Sequence, residues 1–303
     1  MATRRAAPAA MAAYVLHHHD WSESSLILDL WTREHGRIAA IAKGAKRPHS
    51  QMRCVLLPFQ RLTIVLGGKT ARRDTEPGPD QGGHEAPPDL HLLRSAEWAG
   101  GGAMPSGAAL LAGFHLNELL LRGLARHDAH PRLFEVYAAT LPRLAPHDEA
   151  QTAAALRAFE LWLLRESGVL PELDRVTLTQ VPVRTDVRHG LHPDTGVHPL
   201  PDGAAGLGGA TLLALQSAMN AFDLGALQQT CQGALPELRT QLGVDGVGTG
   251  ALPKAWADQF QAAGVLCSVY SPLGPLGLLL PHRWRRLHRK LCVVDGLVVF
   301  CGG

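Results

Sequence analysis

LILDLWTREHGRIAAIAKGAKR, residues 26–47, reads as two strands joined by a tight turn and followed by a basic loop. Leu26, Leu28 and Leu30 alternate with Ile27 and Asp29, the period of two that gives a strand one apolar face. Arg37–Ala42 is a second apolar run beyond the turn-prone Gly36. Similar runs recur outward from this pair at Ala13–Leu16, Cys54–Leu57, Leu62–Leu66 and Leu90–Ser95. Ser22, Gly44, Pro48, Gly67 and Gly68 separate them. Short strands at such spacing predict a small closed barrel or sandwich. Gly67–Pro88, rich in Gly, Pro, Asp and Glu, reads as a long flexible insertion between strands.

Helical periodicity takes over near Pro105. Leu110, Leu111, Phe114, Leu120, Leu121 and Leu124 recur at helical spacing and predict an amphipathic helix over Gly107–Ala125. Further helices are expected at Pro131–Leu144, with proline in the first turn, and at Glu149–Ser167, closed by Gly168. Pro171–Gly206, broken by Pro and Gly, suits a small irregular or hairpin subdomain. Shorter helices follow near Ala210–Ala221 and Leu224–Leu235. Beyond Gly243 come a helical pattern (Ala251–Ala263), a buried-strand pattern (Val265–Tyr270), and two runs at Trp284–Val294 and Leu297–Cys301.

Composition fits a globular chain of two or three domains: 303 residues, 46% hydrophobic and 18% charged. Leu110–Leu124 is interrupted by His115, Asn117, Glu118 and Arg122, so no membrane-spanning helix is expected. Met1–Ala13 carries Arg4 and Arg5 but no long apolar core, which argues against a signal peptide. Five scattered cysteines (Cys54, Cys231, Cys267, Cys292, Cys301) form no CxxC pair. They suit a reducing cytoplasm and most simply act as buried or inert small residues. The overall charge of +2 conceals a strong local bias. Between Trp31 and Arg73 stand ten cations (Arg33, Arg37, Lys43, Lys46, Arg47, Arg53, Arg61, Lys69, Arg72, Arg73) against Glu34 alone, a local net of +9. Such segregation favours a polyanion partner.

A five-stranded barrel with a basic face is the usual plan of an OB-fold, which binds single strands by backbone electrostatics and base stacking. In Lys43-Gly44-Ala45-Lys46-Arg47 the glycine lets the backbone approach a phosphate and the flanking cations neutralise it. Most of the nearby aromatics, Tyr14, Trp31 and Phe59, belong in the core; the place of Trp21 stays open. His17-His18-His19 lacks partner ligands and reads as a surface triplet, and Glu118 and Glu160 read as structural.

The ordered series Tyr14-Val15-Leu16, Ser22-Glu23-Ser24-Ser25, Thr32-Arg33-Glu34-His35-Gly36 and Ala42-Lys43-Gly44-Ala45 resembles the N-terminal domain of the RecO family. Asp89-Leu90 through Ala96-Glu97, Phe114–Leu119, Phe134–Tyr137 and Arg157–Leu164 extend the resemblance over about Tyr14–Arg239. It implies a non-enzymatic mediator of recombinational repair that binds single- and double-stranded DNA and anneals strands. The implied partners are RecR and the single-strand-binding protein, and the implied place is the cytoplasmic nucleoid. Lys43, Lys46 and Arg47 carry the DNA-binding role, with Arg33, Arg37 and Arg53 as further candidates. Some RecO proteins hold zinc on four cysteines in the region matching Leu173–Val197. This chain has only His189, His192 and His198 around there, so no metal and no cofactor are expected.

His288, Lys290 and Asp295 fit HxKxxxxD, and about Val244–Gly303 resembles the first HKD half of the phospholipase D superfamily, in its cardiolipin synthase branch. The resemblance implies His288 as nucleophile, Lys290 as phosphate clamp and Asp295 as supporting acid. Asp295-Gly296 is a hairpin-turn dipeptide. That chemistry needs two such motifs, and no second HxK exists in the chain. The segment is therefore read as an inactive fragment, and phosphatidyl transfer as the alternative function. The whole is expected to be α+β: an OB-fold DNA-binding domain at 1–100 with the insertion at 67–88, a helical domain at 105–242, and a short α/β fragment at 243–303.

Overall fold

The computed structural model describes residues 9–69, 89–144, 148–192, 195–241, 291–294 and 297–300. The chain forms two compact units, Met1–Leu235 and Pro236–Gly303. The first opens with a closed five-stranded barrel: β1 (Ala10–Asp20), β2 (Leu26–Thr32), β3 (Gly36–Ala42), β4 (Arg61–Lys69) and β5 (Leu90–Trp98). Strand order is β1-β2-β3-β5-β4, with β4 returning to β1. Only the β3–β5 contact is parallel. Alternation does what the sequence expects of it. Ala13, Val15, Leu28, Leu30, Ile38, Ala40, Leu62 and Ile64 fill the interior. The long β1 serves two neighbours, pairing with β4 over Ala10–Tyr14 and with β2 over Ala13–Asp20. A register shift between Val15 and His17 supplies the bend.

Two expectations need correction. Cys54–Leu57 is not a strand: Gln51–Val55 is a short helix, α1. Met52, Val55 and Leu56 recur at three and four and turn one helical face onto the barrel core, an ambiguity inherent in short apolar runs. Gly67 and Gly68 belong to β4, and the rest of the expected insertion, 70–88, lies outside the described residues.

The helical part of this unit follows the sequence periodicity: α2 (Gly107–Gly123), α3 (Pro131–Thr140) and α4 (Glu149–Glu166). α3 tightens into a 3-10 turn at Leu141–Arg143 rather than continuing, since Pro142 has no N–H to donate. Asp148 caps α4, accepting from the Gln151 amide at 2.8 Å. Pro171–Gly206 contains the hairpin β6 (Arg188–His192) and β7 (Gly196–Pro199), with β8 (Leu207–Gly208) on the other edge of β6. α5 (Gly209–Asn220) and α6 (Leu224–Gly233) follow, then α7 (Leu235–Gln241). Among the described residues no helix is long and apolar enough to cross a membrane.

In the second unit β9 (Leu291–Val294) and β10 (Leu297–Phe300) pair antiparallel with Leu297 opposite Val294, the register of a two-residue connection. His288, Lys290, Asp295 and the patterns at Ala251–Ala263 and Val265–Tyr270 lie outside the described residues.

Barrel and helices meet across an aromatic seam. Tyr14 of β1 and Trp31 of β2 lie within 4.9–5.4 Å, centroid to centroid, of Phe134 and Tyr137 on α3. A polar clamp crosses the same seam: the Tyr137 hydroxyl donates to Asn117 Oδ1 at 2.5 Å, and Asn117 Nδ2 donates to the Leu16 carbonyl at 3.0 Å. Asn117 and Tyr137 are essentially inaccessible, so each polar atom depends on its partner. Gly36 lets the chain beyond α2 close in. A Cβ there would stand 1.8 Å from the Asp128 carbonyl oxygen, and its φ is +63°.

Tyr137→Phe should cost about 1–3 kcal/mol by stranding Asn117, read as a lower urea midpoint at unchanged slope. An unchanged midpoint would show that Asn117 has another donor. Gly36→Ala should cost more, because backbone and side chain are both refused.

Candidate nucleic-acid interface

β2 and β3 are antiparallel with Leu26 opposite Ala42, so the β1–β2 turn and the loop after β3 share one end of the barrel. The basic run Lys43–Arg47 forms that loop. Three features fix it. Ala45 is fully buried in the barrel core and pins the middle. Gly44, at φ +74°, makes the turn, closed by the Arg47 amide donating to its carbonyl at 3.1 Å. Lys46 is a brace: its amide donates to the Ser24 carbonyl at 3.0 Å, while Nζ reaches the Ser22 carbonyl and Asp20, each at 3.1 Å. Its charge is thus spent mostly on holding the β1–β2 turn. Lys43, Arg47 and Arg53 are exposed on the same loop and on α1. Arg47 and Arg53 meet no carboxylate among the described residues.

Arg33 and Arg37 do not join this group. They lie at the opposite end of β3, a seven-residue strand, which at about 3.3 Å per residue puts roughly 20 Å between the two ends. Arg33 pairs with Glu135 of α3 at 2.9 Å and with Glu34 at 3.9 Å. Arg37 is half-buried and donates through Nη1 to the Leu121 carbonyl and, at 2.9 Å, to that of Leu124. It neutralises the carbonyl end of α2, which has no further helical donors. Burial and then Arg126 lower its pKa, opposed by Asp29. Asp29 in turn binds Arg126 at 2.5 Å. Arg61 is also drawn to the helices, 5.9 Å over the Phe134 ring.

Tyr14, Trp21, Trp31 and Phe59 are all buried, Trp21 included. Within the barrel strands Trp98, at the end of β5, is an exposed aromatic, and β5 also carries an exposed Arg94. Neither stands out in the sequence, because Arg94 falls outside the basic run and Trp98 closes an ordinary strand pattern. The histidine triplet lies within β1 with His17 and His18 exposed, and the His17 and His19 rings are 6.4 Å apart. Burial and then His17 lower the pKa of His18, opposed by Asp20. His189 is buried in β6, and that burial lowers its pKa against the opposing pull of the Val187 backbone carbonyl, an acceptor that favours the protonated ring. Among the described residues no group of three His, Cys, Asp or Glu could hold a metal. Glu118 and Glu160 pair with Arg122 and Arg157, the latter at 2.6 Å. Cys54 is exposed on α1, whereas Cys231 is buried and its thiol is pushed up to about 12.

With this geometry in view, known proteins give a consistent match. The family model described as "Recombination protein O N terminal" matches residues 9–73, and "Recombination protein O C terminal" matches 104–191. The DNA repair protein RecO of Variovorax paradoxus is 50% identical over 212 residues, 69% of this chain and 76% of that protein. The DNA repair protein RecO of Polaromonas naphthalenivorans is 46% identical over 232 residues, 76% of this chain and 86% of that one. That of Acidovorax ebreus is 48% identical over 228 residues, 73% and 80% of the two chains. The resemblance of Val244–Gly303 to phospholipase D has no support in these matches, nor has phosphatidyl transfer as the alternative function.

Lys46→Ala should release the β1–β2 turn while leaving the barrel folded. Amide exchange at Ser22 and at residue 46 should then quicken by about ten-fold, the equivalent of about 1.4 kcal/mol of local stability for a lost charge-assisted bond. Arg47→Ala should leave those amides alone. Equal protection in both variants would remove the bracing role.

Proposed function

Because the chain belongs to the RecO family, we propose that it acts in DNA repair as a recombination mediator, holding single-stranded DNA at the cationic end of its barrel. The observation that carries this reading is the anchored loop: Lys43, Arg47 and Arg53 exposed together, with Lys46 and Ala45 fixing the backbone beneath them. Lysine and arginine side chains placed so bind phosphates by displacing condensed counterions, which makes affinity salt-dependent and nearly indifferent to sequence. A fixed loop loses less entropy on binding than a floppy one.

In this reading residues 1–100 are the DNA-binding domain and 105–242 the helical support. The same cations take duplex as well as single strands, and two complementary strands held without base readout are left to anneal. RecR and the single-strand-binding protein are the partners, in the cytoplasmic nucleoid, and no catalytic step is assigned to the chain. Lys46 contributes through the loop's shape, and Arg33 and Arg37 stand outside the DNA contact.

Replacing Lys43, Arg47 and Arg53 together by alanine should weaken oligonucleotide binding. It should also flatten the slope of log affinity against log salt by about 2, near 0.7 for each lost single-strand phosphate contact. Arg33→Ala should leave the slope unaltered. Gel-shift titration across a salt series measures both, and an unchanged slope in the triple variant would falsify the assignment.

A further inference from the structure

We propose that Trp98 is a stacking platform for a base of single-stranded DNA. This rests on the DNA-binding reading above and adds a second kind of contact to it. β5 pairs with β3 only through Leu90, His91 and Leu92, then runs on beside β4 to Trp98. Its later residues Leu93 and Ala96 share one core with Ala45 of the cationic loop and with Met52, Val55 and Leu56 of α1 and its end. Running parallel to β3, β5 thus continues past the level where β3 gives way to the cationic loop and ends at Trp98, beside Arg61, whose backbone bonds Ala99 and Gly100.

The indole is 62% exposed, the one tryptophan among the described residues that is not buried. An open aromatic face is the kind of surface on which an unpaired base stacks. Its orientation is set: Nε1 donates to Gln60 Oε1 at 3.1 Å, so the polar edge is occupied and the ring faces are left for stacking. The chain beyond it adds no cover. Gly100, Gly101 and Gly102 follow, and a Cβ at Gly100 or Gly102 would meet nothing within 4 Å. Charge complementarity selects the occupant. Lys43, Arg47 and Arg53 are exposed on the loop and α1, and the ligand joining negative charge to flat apolar faces at regular intervals is a nucleic acid with unpaired bases. A duplex offers the charge but keeps its base faces stacked inside.

The test compares the full-length protein with Trp98→Ala and Trp98→Phe, using fluorescence anisotropy on a labelled oligothymidine and on a duplex of equal length, across a salt series. Trp98→Ala should weaken single-strand binding by about ten-fold, within the range of one stacked base. Its salt slope and its duplex affinity should stay at wild-type values, and Trp98→Phe should keep most of the affinity. Unaltered single-strand affinity in Trp98→Ala, with the cation variant still impaired, overturns the platform and leaves the DNA reading standing. Equal losses on single strand and duplex overturn it too, since a general disturbance would then be the cause. Absence of salt-dependent DNA binding by the wild-type protein brings down the underlying reading and the platform with it.

Discussion

Tyr14 and Trp31 project from adjacent barrel strands onto Phe134 and Tyr137 of α3, and Phe159 of α4 backs Tyr137 at 6.2 Å. All five rings are buried. Burying each such side chain contributes about 1.5–3 kcal/mol, and each well-set ring pair adds about 0.5–1.5 kcal/mol. The Arg33–Glu135 pair on the same seam is exposed on both sides, and pairs of that kind contribute at most about 1 kcal/mol. Rings therefore hold the barrel to the helices. The Tyr137–Asn117–Leu16 clamp decides their relative register, because a shift along the seam would strand buried polar atoms.

This docking sorts the basic segment into two populations. On the helical side, Arg33, Arg37 and Arg61 meet a carboxylate, helix carbonyls and a ring, and their charge is used within the fold. At the far end of β3, the loop and α1 keep their cations at the surface. The local +9 is therefore a poor measure of what a polyanion feels. What matters is how much of it the fold has already neutralised, and Lys46 shows the intermediate case, half-paired with Asp20 and structural in its effect.

Much of this was legible in the residues. Alternation in Leu26–Leu30 and Arg37–Ala42 predicts the strands, and the three-four spacing of Leu110–Leu124 predicts α2 almost to its ends. α1 is not legible in this way, because five residues are too few to separate a period of two from 3.6. The site was half legible. Charge density marks the segment that holds the exposed cations, but the partners that engage Arg33 and Arg37 lie 102 and 84 positions away in sequence, beyond any local pattern. Trp98 was invisible for the complementary reason: exposure depends on where a strand ends relative to its neighbours, and β3 stops pairing with β5 at Leu92.

Electrostatics alone leaves a difficulty that the barrel end has to solve. A duplex carries about one charge per 1.7 Å of axis, twice the linear density of one strand. A loop of cations by itself would accordingly favour duplex over single strands. A protein that handles unpaired strands needs a contact that duplex cannot offer and that salt does not screen. An exposed ring face has both properties, and it adds no base preference, since every base has a π-face. In the proposed reading the fixed cations and the outward indole are complementary, one supplying reach and the other discrimination between paired and unpaired DNA.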